Sequence, residues 1–545
     1  MRILSSAEMQ ACDRVTTERY GVPSIELMRA AAGAVAAFAR AEFPRARRVT
    51  AICGRGNNGG DGMMAARLLA EAGLEVTTLL LGAPEGLAGD AAVAWRELTN
   101  PAHGTVHVVE SAEGLAGHSQ ALEADLIIDA VVGTGFKPPL KGLALAAPEW
   151  VKGSEAPILA VDLPSGWAAD ETAATIADPV FPADAVITFT APKPAHVFGQ
   201  LTRRWSQPIV VAPIGSPEEA IVSELKLSWA GASLALVQRP REATANKGNY
   251  GHVLVVGGTL GSAGGKTGAP ALAALGALRA GAGLVTAAVP APALPLVAAI
   301  APELMTWPLK ATTAGCIAVE NCAPEFLSAL TAGKTVLAIG PGMGQSAETA
   351  KFTRGLFEIT KIPTVIDADA LNILAAETGL LLKLARGRTL VLTPHPGEMA
   401  RLADITVAEV QADRLKVARG FAQSNGVTLV LKGARTLVAH PDGRVAVNTS
   451  GNPGMAKGGS GDLLTGLVAG LLAQHPDEPA RAVEAAVYLH GLAADLAVRC
   501  DDEHTLLVTD TLSHLAQAFR LHSRCRNGYL WLQGLPAEAL TAADH

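Results

Sequence analysis

Along almost the whole chain, short apolar runs alternate with stretches whose apolar residues recur every three or four positions. RVTAIC (48–53), EVTTLLLG (75–82), ADLIIDAVVG (124–133), PILAVDLPSG (157–166) and DAVITFT (184–190) read as strands buried on both faces. A helical pattern over 63–72 lies between the first two. This rhythm predicts a parallel, doubly wound α/β sheet, in which polar residues just past the strand C-termini converge on one crevice.

Polar and turn-forming residues take over between Ala230 and Asn249, around QRPREATANKGNYG, and this is the expected domain boundary. A second series follows: GHVLVVGG, GLVTAAVP, KTVLAIGPGMG, IPTVIDADALN, TLVLTPHPGE, VTLVLKGART and VAVNTSGNPG. The expectation is a two-domain α/β chain, with domains over 1–230 and 236–520 and a less regular tail over 521–545 that receives no role. The polar motifs of the first half do not recur in the second.

Composition supports this reading. A chain of 545 residues exceeds what one hydrophobic core serves, and 49% hydrophobic with 17% charged residues describes a globular protein. Lys and Arg number 44 against 51 Asp and Glu, with no long basic run, so neither nucleic acid nor an anionic membrane is an expected partner. The six cysteines include no C-x-x-C pair, which points to a reducing compartment. MRILSSAEMQACDR lacks the apolar core of a signal peptide, and prolines break the most apolar run, 284–302. A soluble cytoplasmic protein is expected.

The chemistry gathers at strand ends. CGRGNNGGDG (53–62) contains G-x-G-x-x-G after a strand, but no acid ends the next strand to hold a ribose, because Leu81 and Gly82 stand there. Asn57, Asn58 and Asp61 would crowd a loop that needed only amides for phosphate. Asp129, Asp162, Ser165 and Lys193 follow other strands, and an amide, carboxylates and a hydroxyl together suit a hard cation or a sugar hydroxyl. GTGFK (133–137) offers a second loop of N–H groups for phosphate. Each residue also has a plainer reading: Asp162 before Leu-Pro-Ser-Gly could only cap a turn.

GRGNNGGDG, DAVVGTGFK and VDLPSG, in this order, resemble the NAD(P)H-hydrate epimerase domain of the bifunctional enzymes that repair hydrated nicotinamide nucleotides. The resemblance covers roughly 1–225. It implies that Asn57, Asn58, Gly59, Gly60 and Asp61, with Gly133, Thr134, Gly135, Phe136 and Lys137, contact the hydrated dinucleotide. Asn58, Asp129 and Ser165 would hold a potassium ion. Asp162 would sit at the reacting ring as candidate acid/base, with Lys193 the weaker one.

In the second half GSAGGKT (261–267) falls short of a P-loop, since Leu260 stands where its first glycine belongs. NTSGNPGMAKGGSGDLLTG (448–466) is the stronger signal. The amides of Gly459, Ser460 and Gly461 at a helix start would cradle a transferring phosphoryl group, and Asp462 would take the proton of the attacking hydroxyl. Asp462 could instead be a helix cap. Lys432 to Thr436 (KGART) offers amides and a cation, His395 sits between two prolines, and Asp367–Asn372 with Gly340–Gly344 completes the rim. Lys432 could equally be a solvated charge, and His395 structural.

TPHPGE, LKGART and GNPGMAKGGSGDLLTG resemble the ribokinase-like, ADP-dependent NAD(P)H-hydrate dehydratases, over about 236–520. That implies a hydrate contact from Ala269, Gly344, His395 and Asp462, and a nucleotide contact from Lys432, Gly433, Ala434, Arg435, Thr436 and Gly461. The implied substrates are NADHX and NADPHX with ADP and Mg²⁺, in a homo-oligomer. Two other readings remain: a ribokinase-type kinase for a small alcohol with a regulatory N-terminal half, and a nucleotide sensor without turnover, against which Asp462 argues.

Overall fold

The computed structural model describes residues 1–99, 103–262, 264–377, 379–499, 501–521 and 528–536. The chain forms two compact units: Met1–Leu227 together with the described residues after 522, and the chain from Ser228 on. Each is α/β, as the hydrophobic rhythm implies.

In the first unit the parallel strands Thr105–Val109, Glu75–Leu81, Arg48–Cys53, Leu126–Ala130, Ile158–Val161, Ala185–Phe189 and Ile209–Ala212 lie side by side in that order. The order reverses direction beside Arg48–Cys53, which opens a crevice between that strand and Leu126–Ala130. The strands read as continuous apolar runs because each serves two cores. Ala51, Cys53, Leu80 and Ile128 enter one cluster, while Ile52, Leu79, Leu81 and Ile127 enter the other.

The tail departs from the expectation. Leu530–Gln533 adds an antiparallel strand to the first unit's sheet, against Ile209–Ala212. Trp531 meets Phe38 edge-on at 6.2 Å between ring centroids, and the Tyr529 hydroxyl donates to the Ala34 carbonyl. A four-residue strand is too short to register as a pattern, but it covers an edge of the sheet.

The second unit holds ten strands, ordered Met305–Leu309, Leu284–Pro290, His252–Val256, Val336–Ile339, Thr364–Ile366, Leu390–Leu392, Thr428–Leu431, Leu437–Ala439, Val445–Val447 and Leu227–Trp229. The first seven run parallel, and the Thr428, Leu437 and Val445 strands form an antiparallel meander. The winding again reverses beside its first parallel strand, His252–Val256. Leu227–Trp229 pairs in this sheet, although the sequence reading placed 1–230 in the first domain. The buried Trp229 indole N–H donates to Thr449 Oγ1 at 2.8 Å, and its ring meets Tyr488 edge-on, which fixes the segment here.

Two glycine-rich stretches take definite forms. Asn57–Asp61, read as loop, are the first turns of the helix Asn57–Glu71, because Gly56 in extended conformation starts it and the small Gly59 and Gly60 let it lie close to its surroundings. GSAGGKT contributes to a two-stranded hairpin, Leu260–Gly261 against Gly264–Gly265, so it wraps nothing in the manner of a P-loop; Ala263 lies outside the described residues.

The helices Gly268–Arg279 and Ser460–Gln474 cross at glycines. A Cβ on Gly466 would lie 2.0 Å from the Ala273 carbonyl oxygen, and one on Gly470 would lie 2.7 Å from that of Ala277. Gly466→Val is therefore expected to lower the unfolding temperature of the second unit, costing roughly 1–3 kcal/mol or more by overpacking. Calorimetry with an unchanged transition would show that the helices can part without penalty.

Candidate functional site

The first unit contains a cavity of about 1370 Å³ at the C-terminal ends of its strands. Two loops meet at the switch point. Gly54 N donates to the Ala130 carbonyl, and a Cβ on Gly54 would lie 2.0 Å from the Val131 oxygen, so only glycine admits this approach. Asn57, Asn58, Asp61, Gly133, Thr134, Gly135, Phe136, Asp162 and Lys193 all line the cavity.

Gly59 and Gly60 do not. They are buried behind the wall, where a Cβ on Gly59 would lie 1.8 Å from the Gly54 oxygen and one on Gly60 2.6 Å from Met28 Cε. Their lack of a Cβ is what this close packing requires. Lys137 is exposed and outside the lining, which includes Lys141 instead.

Asp162 follows the strand Ile158–Val161 with φ of +67°, a conformation that costs a non-glycine residue energy. Its Oδ1 accepts from Lys193 Nζ (3.0 Å) and Thr188 Oγ1 (2.8 Å); its Oδ2 accepts from Thr134 N (2.7 Å) and Thr134 Oγ1 (2.6 Å). Burial acts to raise its pKa, but the Lys193 charge and these donors outweigh burial and hold it below the usual carboxylate range. His196 Nε2–H donates to the Asp162 carbonyl at 2.7 Å while Nδ1 accepts from Lys193 N. Burial, then the Lys193 charge, depresses this imidazole to about 4, so it is neutral at pH 7.

Asp162 and Lys193, expected to carry acid/base roles, are here bonded to each other and to neighbouring groups. A carboxylate with four donors is a weak base. Lys193 Nζ, which also donates to Thr188 Oγ1 and reaches the Phe189 carbonyl at 3.4 Å, is anchored by three acceptors. Together they form a fixed, paired dipole on the wall.

Asp129 and Ser165 are fully buried beneath it. Ser165 Oγ and N donate to Asp129 at 2.6 and 2.7 Å, Val132 N donates to Ser165 Oγ, and Ser165 Oγ lies 3.2 Å from the Val132 oxygen. Burial pushes the Asp129 carboxyl up to about 7. No ion pair compensates it among the described residues, and the buried Asn58 amide nitrogen lacks a hydrogen-bond partner. A buried carboxylate among neutral oxygens fits a monovalent cation.

In the second unit Asp462 is the third residue of the helix Ser460–Gln474, whose N-cap, Gly459, has φ of +96°. Burial and the Asp367 charge push its carboxyl up to about 6, with Lys432 opposing. Lys432 Nζ bonds Asp367 Oδ1 at 2.9 Å and lies 3.8 Å from Glu398 Oε2. Thr465 Oγ1 donates to Asp367 Oδ2. A Cβ on Gly461 would stand 3.2 Å from Lys432 Nζ, so the ammonium lies close beneath the turn that carries the candidate amides.

The other predicted residues gather nearby by contact. Gly344 N donates to Asp369 Oδ2, and a Cβ on Gly342 would meet Ala269 Cβ at 3.1 Å. His395 caps the helix Pro396–Ala403: Nδ1 accepts from Gly397 N at 3.0 Å, and Nε2 lies 3.5 Å from Glu398 Oε1, on a half-exposed side chain. In KGART the Arg435 guanidinium turns inward to the Thr449 carbonyl, and Thr436 Oγ1 closes on the Gly433 carbonyl. Amides and the Lys432 cation, rather than Arg435, are what this loop offers an anion.

Two family models match the chain: NAD(P)H-hydrate dehydratase over residues 253–517, and YjeF-related protein N-terminus over 24–195. The chain is 40% identical over 533 residues to a bifunctional NAD(P)H-hydrate repair enzyme of Moorella thermoacetica, covering 95% of this chain and 97% of that protein. The chain belongs to the bifunctional NAD(P)H-hydrate repair enzymes. Another such enzyme, from Escherichia coli, is 35% identical over 92% of this chain and 91% of its own length. Among solved structures, an ADP/ATP-dependent NAD(P)H-hydrate dehydratase from Bacillus subtilis is 31% identical with a TM-score of 0.44, covering 53% of this chain and 96% of that one.

In this repair enzyme several residues at the two sites escaped the sequence reading. Thr188 lies inside the apolar run DAVITFT, and His196 in the short helix Pro194–Phe198 just after Lys193. Arg414, mostly buried at a helix start, donates to the carbonyls of Leu431, Lys432 and Ala434 and so shapes the KGART loop. No sequence signal marks it.

Proposed function

We propose that the first unit interconverts the R and S forms of NADHX and NADPHX at C6, and that the second dehydrates the S form with ADP, giving AMP and phosphate. Asp462 takes the proton of the C6 hydroxyl as that oxygen attacks the β-phosphorus of ADP, and the amides of Gly459, Ser460 and Gly461 receive the charge that develops on the phosphoryl oxygens. The C6 phosphate then leaves, pushed by the N1 lone pair, and loss of a C5 proton restores the dihydropyridine. What supports this reading is a base on a glycine-started helix N-terminus with the Lys432 ammonium close beneath that turn. The long relatives leave the small-alcohol kinase the weaker alternative.

Ala269, Gly344 and His395 would position the hydrate, and Lys432 to Thr436 with Gly461 the nucleotide. Among the described residues no group of three or more His, Cys, Asp or Glu side chains converges as a metal site. A Mg²⁺ arriving with the nucleotide would offset the charge of its phosphates. In the first unit Asn58, Asp129 and Ser165 would hold K⁺, supplying positive charge against the buried Asp129. The 133–136 loop and Asn57 to Asp61 would hold the dinucleotide, with its ring at the Asp162–Lys193 pair. No helix among the described residues is long and apolar enough to cross a membrane.

The test is the near-ultraviolet absorbance of mixed-epimer NADHX incubated with the protein, Mg²⁺ and ADP, with ATP in parallel. Recovery of the whole sample supports both activities; recovery of one epimer alone removes the first, and none removes the dehydration. A pH series adds a check. Asp462 acts as a base only when ionised, so the dehydration rate is expected to fall as pH drops through about 6. A rate flat from pH 7 to 5 would exclude it as the base.

A further inference from the structure

We infer that Asp13, on the first helix, is the catalytic carboxyl that moves the proton in epimer exchange, in the cavity where Asp162 and Lys193 serve as a fixed anchor. The inference rests on the epimerase reading of the first unit.

The substrate carries its hydroxyl and its ring nitrogen on the same carbon. Inverting that carbon without a leaving hydroxide requires the ring to open. A base takes the hydroxyl proton, the C6–N1 bond breaks with its electron pair going to N1, and C6 becomes an aldehyde. The same group, now an acid, gives the proton to N1. Rotation about C5–C6 presents the other face, N1 attacks it, and the proton returns to oxygen through the same group. Nothing is oxidised or reduced, and no co-reactant is consumed. The step needs one group that both accepts and releases a proton beside the ring.

Asp162 does not meet that need, since both its oxygens already accept from Lys193, Thr188 and Thr134. Asp13 does. It lines the same cavity, and its Oδ1 is a buried oxygen with no hydrogen-bond partner, which a native structure rarely leaves unless something else supplies the donor. The helix Ser6–Glu18 that carries it is held firmly. Ser5 and Glu8 form a capping box, and Met9 and Cys12 pack into a cluster with Ala191 and Ala220, close to Lys193.

Electrostatics agree with the geometry. Burial pushes the Asp13 carboxyl up to about 6, with Lys193 opposing and Asp162 adding to the rise. A carboxyl so placed gives and takes a proton near neutral pH with little penalty either way. Among the carboxyls that line this cavity, Asp61 included, Asp162 is held as an ionised anchor and Asp13 is left to carry the proton, a separation that assigns acid/base roles in many active sites.

The experiment measures exchange between purified epimers of NADHX by chromatography, without nucleotide, above the uncatalysed rate. The full-length wild type, Asp13→Asn and Asp13→Glu are compared. Asp13→Asn is expected to lower kcat for exchange about 10²-fold or more with KM little changed. Asp13→Glu should restore part of the rate, and ADP-dependent dehydration and the unfolding temperature should match wild type. Exchange by Asp13→Asn at the wild-type rate would overturn the inference, and so would a loss expressed wholly in KM, which would make Asp13 a binding group. Absence of exchange by the wild type would instead remove the epimerase reading itself.

Discussion

Replacing Asp462 by Asn is expected to slow ADP-dependent dehydration about 10²–10⁴-fold, the range a positioned general base supplies, while epimer exchange continues at the wild-type rate. The substitution is nearly isosteric, so the helix Ser460–Gln474 and its glycine start keep their shape. Removing the charge also relieves the repulsion from Asp367 that helps raise this carboxyl. Stability and nucleotide affinity should therefore hold or rise slightly. Single-turnover dehydration of the S epimer together with nucleotide titration separates these terms. Loss of nucleotide binding at an unchanged chemical rate would make Asp462 a binding residue and reassign the base.

The second large effect is expected far from any motif. Deleting residues 523–545 should disable epimer exchange at 37 °C and lower the unfolding transition of the first unit, with dehydration of the S epimer preserved. Leu530, Trp531 and Leu532 are buried against that unit. Burial of each large apolar side chain stabilises by about 1.5–3 kcal/mol, so losing the strand removes a large part of the roughly 5–15 kcal/mol typical of a whole domain. It also bares the edge of Ile209–Ala212, inviting aggregation. Trp531→Ala alone should cost about 3–5 kcal/mol. Calorimetry of the truncated chain decides it: a first-unit transition at the wild-type temperature would show the strand to be ornamental.

The strands that flank the two crevices were legible because a central parallel strand must be apolar on both faces, and runs such as AVIT and LVLT have few other uses. The strands missed were mostly near the sheet margins: Thr105–Val109, Met305–Leu309 and Leu530–Gln533 are short or partly exposed, and margin positions impose weaker patterns. The motif glycines were legible as necessary, but their purpose was not. Gly59 and Gly60 share a motif with Asn58 and Asp61, yet the first two face the protein interior and Asp61 the cavity.

By itself the sequence determined the two α/β halves, the strand ends where chemistry collects, and the family. Those follow from local periodicity and from residue types that must stand next to one another in the chain. Only the tertiary structure decided which carboxylates are anchored and which are poised. Whether Asp162 is a base depends on donors from residues 134, 188 and 193, and whether Asp13 is one depends on the absence of any donor to Oδ1. Proton affinity is set by what surrounds a group in space, and those neighbours come from elements far apart along the chain.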